Sequence, residues 1–403
     1  MIKKQKLVLI LSSVIIFNSL VSISNADLEE NAEIEIDSSY DISNEYNSAL
    51  STVMEADSYD FILIPDPELR SVLNEILGQD SHEKISKAQL AQIEKIESKN
   101  RNISNLDGLQ YCTNLSLLNL NGNQISDISS LSNLINLKYL YLERNQISDI
   151  RPLSNLTNLS ILNLNGNRIS DIRPLINLIG LNDLYLRGNQ IVDTSSLGNL
   201  TNLNVLNLTK NKINDISFLS NLTTLNELYL NGNQISDISS VSNLINLKYL
   251  YLDENQISDI SPMKKLTKLI GTRLGNQKIK LEKTTLNSTR VEIENKIKNL
   301  NGKIVGDVYD INNNGKYICE TNLIKWDNIK QKGILKYNFR ESVKIGGALT
   351  KFSGTVEQTV EIDEALKRRR VDKVLATSLM YIIGGISIIV LILKVVQKRK
   401  SNY

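Results

Sequence analysis

Seven asparagines stand 22 residues apart through the middle of the chain, each within the same pattern of leucine and isoleucine. They are Asn123, Asn145, Asn167, Asn189, Asn211, Asn233 and Asn255. The shared pattern is L-x-x-L-x-L-x-x-N-x-I, and a unit of this length cannot bury its own apolar residues. Consecutive units must therefore stack and share a core, and we predict a solenoid over residues 103–279.

The spacing of the leucines predicts the structure of each turn. This period and pattern are typical of leucine-rich repeats, so we expect a curved α/β solenoid with short parallel strands on its concave face. Leucines such as Leu118 and Leu120 should point inward and the residues between them outward. The repeated asparagine should satisfy buried backbone groups where the coil turns, as a structural ladder. Arg101 and Gln277 replace asparagine just outside the seven, where we expect the array to stop.

A column of aspartates follows the asparagines at the same period. Its members are Asp127, Asp149, Asp171, Asp193, Asp215, Asp237 and Asp259. Aspartate before a short turn or helix can cap its free N–H groups, and this is our interpretation. The alternative is a ladder of calcium sites, which would need oxygen-rich loops with glycine turns that the sequence lacks. We therefore predict no metal.

The regions on either side of the solenoid differ from it in composition. Residues 61–102 should form a helical cap, with one helix starting after Asp66 and ending near Gly78, and a second running from Ser86 to about Ile96. Residues 280–362 lose the period and show short β-type runs separated by turns, which predicts a small all-β sandwich with Trp326 in its core. Residues 27–60 are acidic, without Lys or Arg, and should be a disordered linker.

Both ends of the chain carry membrane-related patterns. Residues 1–26 resemble a secretory signal peptide: three lysines, an apolar run, and small residues before a plausible cleavage site. An uncleaved anchor is the alternative. Residues 374–393 hold no charge over twenty positions, enough for a transmembrane helix, between a basic linker at 363–373 and a tail at 394–403. Since basic residues flank both sides, the signal decides the orientation: the body outside the cell membrane and the tail in the cytoplasm.

Charge and reactive residues exclude several classes of function. Outside residues 1–26 and 367–403 the chain has 34 basic and 43 acidic residues, which argues against nucleic acid. His82 is the only histidine, and no catalytic or cofactor-binding motif is present, so we expect neither an enzyme nor a cofactor. Cys112 occupies a leucine position of the repeat, and we expect both it and Cys319 to pack in a core, although a disulfide between them stays open.

Residues 61–362 resemble the internalin family of bacterial surface proteins. Residues 64–69 read I-P-D-P-E-L as in the family's cap, residues 123–134 read N-Q-I-S-D-I-S-S-L-S-N-L as in its repeats, and residues 352–358 are similar to the end of its immunoglobulin-like domain. The resemblance implies an immunoglobulin-like fold for residues 280–362 and a concave face that binds a partner, often a host receptor. Many internalins carry an L-P-x-T-G wall-attachment motif, which none of the five prolines here makes. We therefore expect the transmembrane helix to be the anchor.

The outward positions of the strands are the candidate binding site. The central column, with two tyrosines of the column beside it, contains Asn119, Tyr139, Tyr141, Asn163, Tyr185, Asn207, Tyr229, Tyr249, Tyr251 and Arg273. Tyrosine dominates many binding hot spots, although it also favours strands for its own sake. We predict that this face binds a protein or carbohydrate, with a host-cell receptor among the candidates. The alternative is an envelope protein that binds the bacterium's own wall polymer or membrane proteins.

One segment of the solenoid occurs almost twice. Residues 121–150 and 231–260 differ only at the pairs Leu131/Val241, Glu143/Asp253 and Arg144/Glu254. This identity indicates duplication of a whole block and predicts two nearly equal surfaces on one solenoid.

Overall fold

The computed structural model describes residues 61–400, with side chains up to residue 383. The predicted signal peptide (1–26) and acidic linker (27–60) lie outside the described residues. Two short strands and two helices begin the described chain: β1 (Phe61–Ile62), α1 (Pro67–Ile76), β2 (Ile85–Ser86) and α2 (Lys87–Ala91). They cover the N-terminal end of a solenoid that continues into a C-terminal β region.

The first helix is fixed to the solenoid by its capping residue. One carboxylate oxygen of Asp66 accepts the N–H groups of Glu68 and Leu69, both at 3.0 Å. The other accepts those of Ser104 and Asn105 in the first turn of the solenoid, at 2.8 and 3.1 Å. Burial alone would raise the pKa of Asp66, but these N–H groups stabilise the carboxylate and hold the pKa below its ordinary value.

The second helix is shorter than the sequence predicts. Ser86 and Gln89 form the expected capping box, but the helix ends at Ala91. The prediction that it runs to Ile96 is wrong, because Lys95–Glu97 forms strand β3, paired in parallel with the first strand of the repeats. In that conformation Ile93 and Ile96 are buried and close the end of the solenoid core.

Eight parallel strands form the concave side of the solenoid. After β3 they are β4 (Leu117–Asn119), β5 (Tyr139–Tyr141), β6 (Ile161–Asn163), β7 (Asp183–Tyr185), β8 (Val205–Asn207), β9 (Glu227–Tyr229) and β10 (Tyr249–Tyr251). Each residue pairs with the one 22 positions later, so every column of the sequence repeat becomes a column of neighbours in space. Leu118 and Leu120 are fully buried, as predicted.

The convex side carries 3₁₀ helices instead of α-helices. They are Leu109–Tyr111, Ser129–Leu131, Arg151–Leu153, Arg173–Leu175, Ser195–Asn199, Ser217–Asn221, Ser239–Asn243 and Ser261–Lys265. A turn of 22 residues leaves room there for only three to five helical residues, which suits the tighter helix. The aspartate column caps these segments: Asp127, for example, accepts the N–H of Ser129 at 2.8 Å, and Asp259 that of Ser261 at 2.9 Å.

The ladder asparagines are buried and bond to backbone groups of two neighbouring turns. The Asn145 oxygen accepts the N–H of Ile125, and its nitrogen donates to the carbonyls of Leu120 and Leu142, all at 3.0 Å. Gln277 makes the same three bonds, to Ile257, Leu252 and Leu274, and so acts as the ladder residue where the array ends. Its longer side chain serves the last turn.

The solenoid sheet continues into the C-terminal β region without a break. Strand β11 (Gly271–Leu286) begins beside β10 and then pairs with β17 (Ala348–Ile362), followed by β16 (Gly333–Ile345) and β13 (Val308–Tyr309). The boundary expected near residue 280 therefore falls inside one strand. A second sheet contains β12 (Val291–Glu294), β15 (Leu323–Trp326) and β14 (Lys316–Ile318), all antiparallel. Trp326 is buried, as expected.

The cysteines are both free, and only one packs in a core. Cys112 is fully buried among the leucines, and burial raises the pKa of its thiol to about 12. The prediction of core packing is wrong for Cys319, which follows strand β14 and is exposed. No packed apolar position is available there, because the residue lies in the turn towards β15.

The described chain ends in helix α3 (Glu364–Lys400). Leu366 packs against the core, and the guanidinium of Arg370 donates to the carbonyls of Ile329 and Lys330, so the start of the helix contacts the β region. Within the described residues no helix combines the length and the hydropathy that crossing a bilayer requires. The second half of the expected span 374–393, from residue 384, lies outside the residues whose side chains are described.

Candidate partner-binding surface

The predicted site residues line one continuous column across the concave face. In register, from β4 to β11, the column contains Asn119, Tyr141, Asn163, Tyr185, Asn207, Tyr229, Tyr251 and Arg273. Tyr139 and Tyr249 lie in the column beside it, in strands β5 and β10. Strands stand about 4.8 Å apart, so these residues span roughly 30 Å of open sheet.

The asparagines of this column are held by the chain itself. Asn119 is only 8% exposed, and Asn163 and Asn207 are half-buried. The side-chain oxygens of Asn163 and Asn207 each accept the N–H two residues later, at 3.1 Å. Because these bonds occupy the side-chain oxygens and order the chain after the strand, the asparagines can make fewer contacts with a partner than the tyrosines can.

The tyrosines of this face differ in exposure. Tyr139 is 38% exposed, whereas Tyr141, Tyr185, Tyr229, Tyr249 and Tyr251 are half-buried. Burial raises the pKa of the Tyr141 and Tyr185 hydroxyls, and neighbouring carboxylates raise it further. These groups therefore stay protonated near neutral pH and can donate hydrogen bonds.

Two carboxylates of the same face were missed by the sequence reasoning. Asp183 and Glu227 occupy the column of Tyr139 and Tyr249, and the 22-residue register alone would have found them. Glu227 accepts a hydrogen bond of 2.6 Å from the hydroxyl of Tyr229. Burial raises the pKa of Asp183, although Asn204 offsets this in part, and its Oδ1 atom is buried without a hydrogen-bond partner.

The charge on the strands has one sign. The seven strands β4–β10 contain Asp183 and Glu227 but no lysine or arginine. Basic residues stand around them: Lys95 and Arg273 at the two ends, and Arg187, Lys138 and Lys248 outside the strands. The centre of the concave face therefore combines tyrosine rings with uncompensated carboxylates.

The concave face is an open surface and not a pocket. Of two depressions in the described part of the chain, of about 490 and 550 Å³, neither is lined by a predicted site residue. One is lined by Glu75 and Arg101 beside the cap, and the other by Asp215 and Ser240 on the convex side. An extended open sheet suits a macromolecular partner better than a small ligand, which needs enclosure.

The fold and this surface define the class as a leucine-rich repeat protein. The family described as leucine-rich repeats in two copies matches residues 135–177, 179–221 and 223–265, and the one described as "LRR adjacent" matches residues 302–361. No curated protein sequence matches the chain significantly.

Solved structures narrow the class to a family. The chain is 36% identical to an internalin C2 of Listeria monocytogenes, over 52% of this chain and 92% of that one, with a TM-score of 0.51. It is 35% identical to an internalin (inlF) of the same organism, over 54% and 77%, with a TM-score of 0.39. The chain belongs to the internalin family. Its leucine-rich repeat proteins are non-enzymatic surface proteins, and so this chain is not an enzyme.

Proposed function

We propose that the chain is a cell-surface adhesin that recognises a protein partner through the concave face of its repeats. The observation that carries this proposal is the set of tyrosines on the open sheet, Tyr139, Tyr141, Tyr185, Tyr229, Tyr249 and Tyr251. Tyrosine combines a large apolar face with a polar tip and is enriched among the residues that dominate binding energy. Family membership supports the same role.

We further propose that residues 374–393 anchor the protein in the cell membrane as a single-pass helix, after export directed by residues 1–26. Support comes from the twenty uncharged positions of the segment and from Lys394, Lys398, Arg399 and Lys400 directly after it. In the described half of the segment, apolar side chains such as Leu375, Leu379 and Ile383 are more than half exposed. In this arrangement residues 280–362 form an immunoglobulin-like domain between the repeats and the membrane.

The experiment that tests partner recognition uses tagged protein to capture partners from host cells and from purified bacterial wall. Replacing Tyr141, Tyr185, Tyr229 and Tyr251 together by alanine should abolish capture from host cells, because it removes the largest contact surfaces of the sheet. The matched control replaces Ile135, Ile179 and Ile245 by alanine. These side chains are 51–58% exposed but lie outside the strands, so capture should be unchanged.

The outcomes of these experiments separate the possibilities. Capture that survives the tyrosine replacements would refute the concave site. Capture from wall alone would favour the envelope role over host adhesion.

For the anchor, we expect the protein to leave the membrane fraction only when residues 374–393 are deleted. Protein that leaves the membrane at alkaline pH with the segment intact would contradict it.

A further inference from the structure

The two duplicated blocks differ in what covers their strands. Strands β5 and β10 both read Tyr-Leu-Tyr and are preceded by lysine, so their own residues are identical. Their neighbours are not. The strand beside Tyr139 and Tyr141 on the C-terminal side supplies Ile161 and Asn163, whereas the strand beside β10 supplies Gly271 and Arg273.

At the C-terminal end, the chain covers its own tyrosines. The Arg273 guanidinium lies over the ring of Tyr251, 4.8 Å from its centroid, and Tyr229 meets the same ring edge to face at 5.2 Å. Burial raises the pKa of Asp253, and the nearby charge of Arg273 opposes this shift in part. This group is a cation on the face of a tyrosine ring beside a carboxylate, an arrangement favoured by the electrostatic attraction between the cation and the ring.

The centre of the concave face has the ring and the carboxylates without the cation. Tyr185 and Asp183 share strand β7, with Tyr141 two strands away on one side and Glu227 two strands away on the other. The charges of Asp183 and Glu227 reach the Tyr185 hydroxyl and raise its pKa beyond the effect of burial. Among the described residues, no lysine or arginine lies over the ring of Tyr141 or Tyr185.

No lysine or arginine among the described residues forms an ion pair with Asp183 or Glu227. An arginine or lysine from a partner would supply the missing positive charge. Arg273 shows that a guanidinium fits over a ring of this column.

We propose that Tyr141, Asp183, Tyr185 and Glu227 form a sub-site for a basic segment of a protein partner, whose arginine or lysine side chains would lie on the rings and beside the carboxylates. The proposal rests on the proposed function and narrows the partner to a protein with a basic exposed segment. Complementary charge carries the choice, because the strands at the centre of the face are acidic and lack basic residues.

The test uses the full chain in neutral detergent and a fluorescent hexa-arginine peptide, with hexa-glutamate as the negative probe. Affinity is read by fluorescence anisotropy at two salt concentrations. The double replacement Asp183→Asn and Glu227→Gln should weaken hexa-arginine binding about tenfold. The matched control, Glu83→Gln with Glu282→Gln, removes the same two charges from exposed positions elsewhere and should change affinity less than about twofold. Equal losses in both variants would overturn the proposal.

Two further variants test the ring and the internal arginine. Tyr185→Ala should weaken hexa-arginine binding several-fold, whereas Tyr185→Phe, which keeps the ring face, should not. Arg273→Ala should strengthen hexa-arginine binding, because it exposes Tyr251 and Asp253 as a second position where an arginine side chain can bind. This gain keeps the proposal testable even if Asp183→Asn alters folding. No change with Arg273→Ala and no difference between the two Tyr185 variants would contradict it.

Failure of the sub-site can be told apart from failure of the proposed function. If the fourfold tyrosine replacement abolishes capture from cells but Asp183→Asn with Glu227→Gln does not weaken it, the concave site stands and the basic partner is wrong. If capture is insensitive to the tyrosines as well, the proposed function itself fails.

Discussion

The segments 121–150 and 231–260 share 27 of 30 residues, yet they present different surfaces. Inside the solenoid they are equivalent, because Asn145 and Asn255 make matching bonds to the turns around them. On the concave face they are not. Tyr251 is covered by Arg273 and Tyr229, whereas Tyr141 lies between Asn119 and Asn163. In a solenoid the backbone structure of a turn is determined by its own sequence. The surface that the turn presents depends as much on the side chains of the neighbouring turns.

The largest effect we predict tests the equivalence of the scaffold. Asn145→Ala and Asn255→Ala should each lower the free energy of unfolding by about 3 kcal/mol, because each removes three hydrogen bonds to buried backbone groups and leaves one N–H, that of Ile125 or Ile235, without a partner. Urea unfolding followed by circular dichroism measures both. Asn136→Ala, at an exposed asparagine with one bond to the Thr113 carbonyl, is the control and should cost under about 1 kcal/mol. A clear difference between the losses of stability in the two ladder variants would show that the two copies are not equivalent inside the solenoid.

The next effect tests the difference between the surfaces. Tyr251→Ala should destabilise the protein by about 1–2 kcal/mol more than Tyr141→Ala. It removes the edge-to-face contact with Tyr229 and the ring on which the Arg273 guanidinium lies. Thermal unfolding of both variants, with Tyr251→Phe as the control that retains the ring, makes the comparison. Equal losses for the two alanine variants would show that the cover over Tyr251 adds no stability.

The sequence predicted well what repeats. The 22-residue register fixes which residues are neighbours across the sheet, so the leucine core and the outward columns follow from the period alone. The aspartate caps follow as well, because capping needs only residues adjacent in sequence. The same register predicts that Asp183 and Glu227 also lie in an outward column, from which we had selected only the tyrosines.

What the sequence could not predict depends on contacts without a period. The second cap helix gives way to β3 because a free edge of the solenoid is available to pair with it, and no local pattern reports that edge. The continuity of β11 between the solenoid and the β region depends on β17, about 75 residues later in the chain. The stack of Arg273 on Tyr251 depends on side-chain direction, which periodicity does not determine.

A smaller effect concerns the turn after each strand. Arg144 and Glu254 have φ values of 55° and 58°, whereas glycines such as Gly122 and Gly232 occupy the same position in other turns. Left-handed backbone disfavours side chains with a Cβ, so Arg144→Gly and Glu254→Gly should each stabilise the fold by about 0.5–1 kcal/mol. Urea midpoints measure the gain, with Arg168→Gly, at an exposed position without positive φ, as the control that should not gain. Stabilisation of one copy only would show that the side chain at the other makes a compensating contact.

The smallest effect we predict concerns the pair Glu143 and Asp253, which differ between the copies. Burial raises the pKa of Asp253 above its ordinary value of 3.8, despite the opposing charge of Arg273, and its Oδ1 atom lacks a hydrogen-bond partner. Glu143 instead accepts a hydrogen bond of 3.2 Å from Asn163 and lies 3.7 Å from Arg144. At neutral pH the carboxylate of Asp253 therefore contributes less to the stability of the folded protein than that of Glu143.

A raised pKa in the folded state means that the protonated form of Asp253 is favoured by folding. The stability it contributes is fully present below pH 3.8 and is lost as the pH rises through its folded pKa. Asp253→Asn should therefore stabilise the protein at neutral pH, on the order of 0.5 kcal/mol because the half-exposed side chain is screened by solvent, and the gain should vanish below about pH 4. Unfolding midpoints of this variant and of Glu143→Gln across pH 3 to 8 make the comparison. A gain at Glu143→Gln as large as that at Asp253→Asn would show that the two carboxylates have equivalent surroundings after all.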